Sequence, residues 1–194
     1  MMEISLKEEK CRVRRELKDI AACFSGKYVA EASCAICGKI VESSEFREAS
    51  VIFGYLSFQN EISVDAVLEE ALRLGKVVAV PWLVSQTEMR AARLETLQDL
   101  PLDRYGIRTA PEPVTFVMPD KISLILVPGT GFSTEGCRMG RGAGYYDRFL
   151  AQSGGFRLGI TSDKLLLKDI PVDEHDQRVE ALVTETGFVR CTGA

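Results

Sequence analysis

Two adjacent segments decide how this chain is interpreted: residues 127–132 read VPGTGF, and residues 138–149 read RMGRGAGYYDRF. An apolar run leads into the first segment and predicts a buried strand, and a helical pattern begins near Tyr145. The glycines between strand and helix allow positive φ angles and let backbone N–H groups approach a ligand. Arg138 and Arg141 add cationic groups, so the stretch predicts a loop that binds an anionic ligand such as a nucleotide.

Two standard phosphate-binding motifs do not fit this stretch. A P-loop requires Gly-Lys followed by Ser or Thr at the start of its helix, and residues 140–144 contain neither feature. A dinucleotide-binding fingerprint requires its glycines in a tight turn directly after the strand, whereas Gly140 lies well beyond Val127 in the chain. The residues around the glycines therefore carry more information than the glycines themselves.

The rest of the chain alternates strands with helices. Apolar runs predict strands over residues 51–56, 77–80, 122–127, 156–160 and 181–184, with a weaker strand over 89–94, and periodicity predicts helices over residues 5–24, 28–44, 63–74 and 145–151. We expect Pro81 and Trp82 to end the second strand, and residues 100–113 to form a long ordered loop. The strand–helix–strand order implies parallel pairing, so we predict one three-layer α/β/α domain over residues 1–194 with a mainly parallel central sheet.

The composition is that of an ordinary soluble protein. Of 194 residues, 46% are hydrophobic and 27% are charged, and the net charge is −4, so neither nucleic acid nor an anionic membrane is an expected partner. No apolar run approaches the roughly 18 residues of a membrane helix, and we expect a cytoplasmic protein. Cys34 and Cys37 form a CxxC inside a helical pattern, which predicts helix cysteines rather than a zinc or redox site.

Ligands of parallel α/β folds lie beyond the carboxyl ends of the strands. We expect three loops at that rim: residues 57–61, the glycine-rich loop, and residues 173–178. A basic stripe on the first predicted helix includes Lys10 and Arg14. The stripe is either a solvated flank of the helix or a phosphate-binding surface.

Other side chains at this rim also admit two interpretations each. Asp147 either holds Mg²⁺ beside bound phosphates or stabilises the first turn of its helix, and Asp176 is either a second Mg²⁺ ligand or a solvated loop acid. Tyr145 and Tyr146 either stack on a flat heterocycle or pack as core. Glu61 either accepts hydrogen bonds from a pterin or purine edge or is a carboxylate early in a helix.

Four blocks of the chain resemble the 5-formyltetrahydrofolate cyclo-ligase family, also called 5,10-methenyltetrahydrofolate synthetases. The longest block has the pattern PGxGF from residue 128 and GxRMGRGxGYYD from residue 136. The others are KxxxRxEL from residue 10, LSxQxEI from residue 56, and DEHD from residue 173. The chain departs from the usual family pattern at Met139 and Ala143, and neither change touches the arginines or the expected metal ligands.

The resemblance implies an ATP-dependent enzyme that turns 5-formyltetrahydrofolate into 5,10-methenyltetrahydrofolate, ADP and phosphate. The formyl oxygen would be phosphorylated, and the 10-nitrogen would then close the ring. ATP is the implied co-substrate and Mg²⁺ the implied metal. The implied nucleotide-binding residues are Lys10, Arg14, Arg138, Met139, Gly140, Arg141, Gly142, Ala143, Gly144, Tyr145 and Tyr146. The implied catalytic residues are Arg141 and Tyr145, the implied substrate-binding residues are Leu56, Glu61, Arg141 and Tyr145, and the implied metal ligands are Asp147 and Asp176.

Two other interpretations stay open from the sequence alone. One is a relative that binds ATP or a folate without cyclising it, or that acts on a different substrate. The other is a sugar-phosphate-binding or CoA-binding protein of related α/β architecture, which would not need Glu61 or the basic first helix. On the primary interpretation the partners are small-molecule substrates, without nucleic acid or membrane, and we expect a monomer.

Overall fold

The computed structural model describes residues 5–192. Its strands are β1 (Val51–Phe53), β2 (Val77–Leu83), β3 (Met89–Leu94), β4 (Phe116–Val117), β5 (Leu124–Pro128), β6 (Gly131–Ser133), β7 (Arg138–Met139), β8 (Phe156–Ile160), β9 (Leu166–Leu167), β10 (Ala181–Val183) and β11 (Phe188–Arg190). Its α-helices are α1 (Leu6–Ala22), α2 (Gly26–Val41), α3 (Ser44–Glu48), α4 (Asp65–Arg73) and α5 (Tyr145–Leu150), and single 3₁₀ turns lie at Pro119–Lys121 and Asp163–Leu165.

Eight strands form the main sheet, in the order β11-β10-β8-β5-β1-β2-β3-β4, and β7-β6-β9 form a small second sheet. The five strands from β10 to β2 pair in parallel, whereas β11, β3 and β4 pair antiparallel at the two edges. This order confirms the predicted mainly parallel sheet. The central strand β5 is buried from Leu124 to Val127 because both faces of the sheet are covered.

Neighbouring residues of the central strands point to opposite faces and belong to two separate cores. Ile52 and Leu126 pack with α2 and α4, whereas Phe53 and Val127 pack with α5 and β6. Helices therefore lie on both faces, as predicted. The layer on the second face, however, consists of the short helix α5 and the small sheet rather than of long helices. α1 packs beside that small sheet through Leu17.

Several boundaries differ from the sequence prediction; β1, for example, ends at Phe53 and β5 begins at Leu124. The helix expected over residues 28–44 is two helices, because the Ser43 side chain accepts the N–H of Phe46 and starts α3. The expected end of β2 at Pro81 is wrong, since the strand continues to Leu83. Because β1 pairs with β2 only as far as Ala79, Pro81 lies where β2 has one neighbouring strand, and proline is tolerated there.

The glycine-rich stretch contains strands that the pattern did not predict. β6 and β7 form an antiparallel hairpin in which Phe132 pairs with Arg138, and β9 adds to β6 in parallel. Strands of two or three residues are too short to give a periodic signal. The same holds for β4 and for β11, which follows the strand expected to be the last.

The CxxC motif lies within α2, as predicted. Cys37 is buried, its Sγ lies 3.3 Å from the Ser63 carbonyl oxygen, and burial raises the pKa of its thiol to about 11. Cys34 is exposed. A thiol with a raised pKa is a poor metal ligand and a poor redox nucleophile.

No single helix among residues 5–192 is long and apolar enough to cross a membrane. α1 and α2 meet that requirement of length and composition only as a pair, and they are bent by 103° relative to each other.

Candidate active site

A cleft of about 2010 Å³ opens where β5, β1 and β2 end. Pro128 at the end of β5, Leu56 after β1 and Leu83 at the end of β2 all line it. Every residue to which the family resemblance assigns a catalytic, binding or metal role also lines this cleft. The cleft is larger than the roughly 300–1,000 Å³ typical of one drug-sized ligand, so it has room for two ligands side by side.

Helix α1 forms one wall of the cleft. Ser5 and Glu8 make a reciprocal capping box that begins the helix, and Lys10 and Arg14, one turn apart, share the face that lines the cleft. The Nε of Arg14 donates to the carbonyl oxygen of Gly140 at 2.7 Å. The basic stripe is therefore not simply a solvated flank, because part of it holds the glycine-rich loop.

The loop over residues 173–178 supplies carboxylates to Lys10. The Nζ of Lys10 donates to Asp173 at 2.6 Å and also to Asp176. Desolvation lowers the pKa of Lys10, but the two carboxylates outweigh it and raise the pKa overall. This loop lies in the connection between β9 and β10 rather than directly after a strand of the main sheet, yet residues 173–177 line the cleft as expected. It reaches the cleft on the α5 side of the sheet, where the Gln177 N–H donates to Asp147 at 3.3 Å.

A buried ion pair holds the glycine-rich loop against α5. The Nη2 of Arg138 donates to Asp147 Oδ1 at 2.7 Å, and the two side chains are only 5% and 19% exposed. The Arg138 guanidinium also lies 5.6 Å from the centre of the Tyr146 ring. Gly142 and Gly144 adopt φ angles of 101° and 68°, and the latter starts α5 from a left-handed conformation that favours glycine.

A second ion pair crosses the cleft. The Nη2 of Arg141 lies 2.5 Å from Glu61 Oε1, and these side chains are 53% and 28% exposed. The other carboxylate oxygen of Glu61 accepts the N–H of Phe58 at 3.0 Å. Because α4 begins only at Asp65, the interpretation of Glu61 as an early-helix carboxylate is wrong. Glu61 is a loop carboxylate aimed at the glycine-rich loop.

The two tyrosines at the start of α5 have different surroundings. Tyr145 donates a hydrogen bond to the carbonyl oxygen of Ser85 at 3.0 Å, which ties α5 to the turn between β2 and β3. The Tyr146 ring packs near Phe53, and its hydroxyl is buried without a hydrogen-bond partner among residues 5–192. Burial raises the pKa of Tyr146. A buried hydroxyl without a protein partner is a group that a ligand or water has to satisfy.

Sequence reasoning missed the far wall of the cleft, which the end of β2 and the loop over residues 100–113 form. These lining residues include Trp82, Leu83, Ser85, Met89, Leu102, Arg104, Tyr105 and Arg108. Arg108 binds both carboxylate oxygens of Asp65, at 2.7 and 3.0 Å. The one available sequence signal was the spacing of Asp103 and Gly106, which is typical of a type I turn.

The residues expected to bind metal fit magnesium bound together with phosphate. Asp147 and Asp176 are close, because the residue after Asp176 donates its N–H to Asp147. The described part of the chain contains no cluster of three or more His, Cys, Asp or Glu side chains able to hold a metal. Mg²⁺ usually takes one or two carboxylates and completes its shell with water and phosphate oxygens, so a protein-only cage is not required.

These features define a class of protein: α/β proteins whose large cleft, at the carboxyl edge of a parallel sheet, can take a phosphate-bearing ligand beside a second ligand. Comparison with known proteins gives the particular family. The sequence model described as the 5-formyltetrahydrofolate cyclo-ligase family matches residues 6–185, and this chain belongs to that family.

Individual relatives agree with the family match. A Caenorhabditis elegans protein named "Probable 5-formyltetrahydrofolate cyclo-ligase" is 30% identical over 196 residues, which cover 93% of this chain and 95% of the relative. The 5-formyltetrahydrofolate cyclo-ligase of Mus musculus is 25% identical over 198 residues, which cover 95% and 98%. This chain is therefore an enzyme of the cyclo-ligase family, and the sugar-phosphate or CoA-binding alternative finds no support.

Solved structures show the same fold. The NMR structure of 5,10-methenyltetrahydrofolate synthetase from Aquifex aeolicus matches with a TM-score of 0.82 and 25% identity, over 95% of this chain and 94% of that one. A 5,10-methenyltetrahydrofolate synthetase from Mycoplasma pneumoniae matches with a TM-score of 0.75 and 21% identity, over 91% and 99%. The three-layer α/β architecture is thus confirmed.

Proposed function

We propose that this protein converts 5-formyltetrahydrofolate and ATP into 5,10-methenyltetrahydrofolate, ADP and phosphate. Membership of the family supports the overall conversion. The observation that carries the proposal is the ion pair between Arg141 and Glu61, which joins the glycine-rich loop to the loop after β1 inside one cleft. The family resemblance assigns the first loop to ATP and the second to the folate, so the formyl group and the γ-phosphate would meet near this pair.

The reaction requires the formyl oxygen to become a good leaving group. That oxygen attacks the γ-phosphorus of ATP, the bond to ADP breaks, and an iminium phosphate forms. The 10-nitrogen then attacks the formyl carbon, closes a five-membered ring and loses its proton. The C–O bond breaks, and the oxygen leaves with the phosphate. Positioning and charge stabilisation supply most of the catalysis of such a phosphoryl transfer.

Arg141 is the group that would stabilise the transferring phosphoryl. Its side chain is half exposed, so it can exchange the Glu61 carboxylate for a phosphoryl oxygen without disturbing the core. Glu61 is then available to accept hydrogen bonds from the pterin, beside Leu56 at the end of β1. The family resemblance implies that Tyr145 lies close to the transferring group, and the hydrogen bond from its hydroxyl to Ser85 fixes its side chain.

The nucleotide would lie between α1 and the glycine-rich loop. Lys10 and Arg14 would bind its phosphates from α1, and the backbone N–H groups of Gly140 to Gly144, which line the same cleft, would bind them from the loop. Met139 is buried beneath α1, so only its backbone can contribute. Ala143 offers backbone contact only.

Asp147 and Asp176 are the residues that would hold Mg²⁺ bound to the nucleotide phosphates. The ion would neutralise phosphate charge during the transfer. The hydrogen bonds that Asp147 accepts from Arg138 and Gln177 both use Oδ1. Neither of these contacts requires Oδ2, which could therefore bind the ion. The monomeric state, the exclusion of nucleic acid and membrane as partners, and the cytoplasmic location stay predictions.

A spectroscopic assay tests this proposal. Purified protein mixed with ATP, Mg²⁺ and 5-formyltetrahydrofolate should develop the near-UV absorbance band of the methenyl product and release ADP. Omission of ATP or of Mg²⁺ should abolish both signals. Folded protein that binds ATP but gives no band would eliminate the proposal and favour the relative that binds without cyclising.

A further inference from the structure

Arg104 differs from the other arginines that line the cleft. Each of the others donates a hydrogen bond to a carboxylate or a backbone carbonyl: Arg14, Arg108, Arg138, Arg141 and Arg148. Within residues 5–192, Arg104 has no such partner, and its guanidinium lies 4.8 Å from the ring centre of Tyr105. A guanidinium has five N–H donors and no acceptor, so Arg104 offers its donors to whatever enters the cleft.

The segment that carries Arg104 is held in a fixed turn. The Asp103 carboxylate accepts the N–H groups of Tyr105 at 2.8 Å and Ile107 at 2.9 Å, and Gly106 has a φ angle of 74°. We call residues 102–108, whose two ends pair in a β-bridge between Leu102 and Arg108, the cleft turn. Tyr105 is 58% exposed, a large fraction for an aromatic residue that lines a cleft. The cleft turn thus presents a cation and an aromatic ring without having to be ordered by a ligand.

The cleft turn is positioned next to the loop that carries Glu61. Arg108 binds Asp65 through two hydrogen bonds and approaches the Ser57 hydroxyl at 3.5 Å. Ser57 and Glu61 belong to the same loop, and Glu61 contacts Arg141 on its other side. The loop after β1 therefore lies between the cleft turn and the glycine-rich loop. A ligand held at Glu61 with its reacting group toward Arg141 can extend its other end toward Arg104.

We propose that Arg104 binds the glutamate carboxylates of the folate substrate and that Tyr105 packs on its aminobenzoyl ring. The inference rests on the proposed function, because it assumes a folate held at Glu61. A folate ends in carboxylates that are ionised at neutral pH, and a planar guanidinium binds a carboxylate with two parallel hydrogen bonds. The cation–π contact of Arg104 with the Tyr105 ring, at 4.8 Å, favours a guanidinium position beside that ring.

Paired substrates and paired variants test this assignment. The substrates are 5-formyltetrahydrofolate and its diamide, in which both glutamate carboxylates are carboxamides of nearly the same size. The variants are Arg104→Gln and, as a control, Arg93→Gln, which changes an exposed arginine outside the cleft. Loss of a charge-assisted hydrogen bond should lower kcat/KM of Arg104→Gln for the dicarboxylate about tenfold, through KM. Its kcat/KM for the diamide should equal that of the wild type, and Arg93→Gln should change neither value.

The ratio of kcat/KM for the two substrates separates this role from a structural one. If Arg104→Gln lowers kcat/KM equally for both substrates, or lowers neither, the assignment is wrong. If the wild type turns over neither substrate, the proposed function fails, and calorimetric binding of the same two ligands decides the inference instead. An equal affinity of wild type for the dicarboxylate and the diamide, or binding of neither, overturns it.

Discussion

The glycine-rich stretch has two parts that differ in the burial of their arginines. In the inner part, β6 and β7 form a hairpin in the core, and the Arg138–Asp147 pair is almost enclosed. In the outer part, from Gly140 to Gly144, the backbone turns through left-handed conformations, and Arg141 makes a half-exposed pair with Glu61. The two arginines are three residues apart and have the same side chain, so their surroundings and above all their burial distinguish them.

This difference in burial indicates that the inner pair stabilises the loop and that the outer pair is available to a ligand. Removing one partner of a buried ion pair leaves an uncompensated charge, whereas an exposed pair contributes little to stability. We therefore expect Arg138, which the family resemblance assigns to the nucleotide, to act mainly by fixing the loop and Asp147. Arg141 can leave Glu61 at low energetic cost. A side chain that is to contact a phosphoryl group during its transfer needs this freedom.

The largest expected effect is on stability, at Arg138. Arg138→Ala should lower the free energy of unfolding by about 3 kcal/mol, because the largely buried Asp147 loses its ion-pair partner and keeps only the N–H of Gln177. Urea denaturation followed by circular dichroism measures the change. Arg141→Ala is the matched control and should cost less than about 1 kcal/mol. Equal losses in the two variants would contradict the division into inner and outer parts.

The second largest expected effect is on catalysis, at Arg141. Arg141→Ala should lower kcat about a hundredfold or more, as loss of a donor to developing charge does elsewhere, while the protein stays folded. The assay for the methenyl band measures it. Arg12→Ala is the control, since Arg12 is 58% exposed in a surface pair with Glu16 and lies outside the cleft. Activity of Arg141→Ala close to that of Arg12→Ala would remove Arg141 from the catalytic residues.

The parallel core could be predicted from sequence because its signal is local. A run such as Leu124 to Val127, apolar at every position, is what burial on both faces requires. The β6–β7 hairpin could not be predicted in this way. Tertiary packing buries Arg138 and Met139, and the sequence around them has no periodic pattern that indicates a strand. Pro81 is the opposite case, because its local signal predicted the end of a strand that in fact continues. Whether a strand accepts a proline depends on where the neighbouring strand ends.

The candidate site, like the fold, could be predicted from the sequence only in part. Glycines, arginines and acids in family-like blocks identified one wall of the cleft, because those residue types already indicate phosphate chemistry. The opposite wall gave no comparable signal. Arg108 binds Asp65, whereas Arg104 has no hydrogen-bond partner within residues 5–192. This difference depends on which residues lie nearby in space, and the sequence alone does not reveal it.

The smallest expected effect concerns Lys10, whose ion pairs are intermediate between the other two in exposure. The Asp173 side chain is 40% exposed, and its hydrogen bond from Lys10 is the main cause of a lowered pKa. Asp173→Asn should therefore cost less than about 1 kcal/mol of unfolding free energy at pH 7. Urea titrations at several pH values, with Asp169→Asn as an exposed control from the same segment, measure the difference.

The sign of the pH dependence follows from the direction of that shift. A carboxyl whose pKa is lower in the folded state binds fewer protons there than when unfolded, so its contribution to stability is complete above the unfolded pKa of about 3.9. It is lost as the pH falls through the folded-state pKa of Asp173, which lies below that value. Wild type and Asp173→Asn should therefore differ most near neutral pH and converge in acid. A difference that persists unchanged below pH 3 would mean that Asp173 acts through packing or hydrogen bonding independent of its charge, and that Lys10 is held mainly by Asp176.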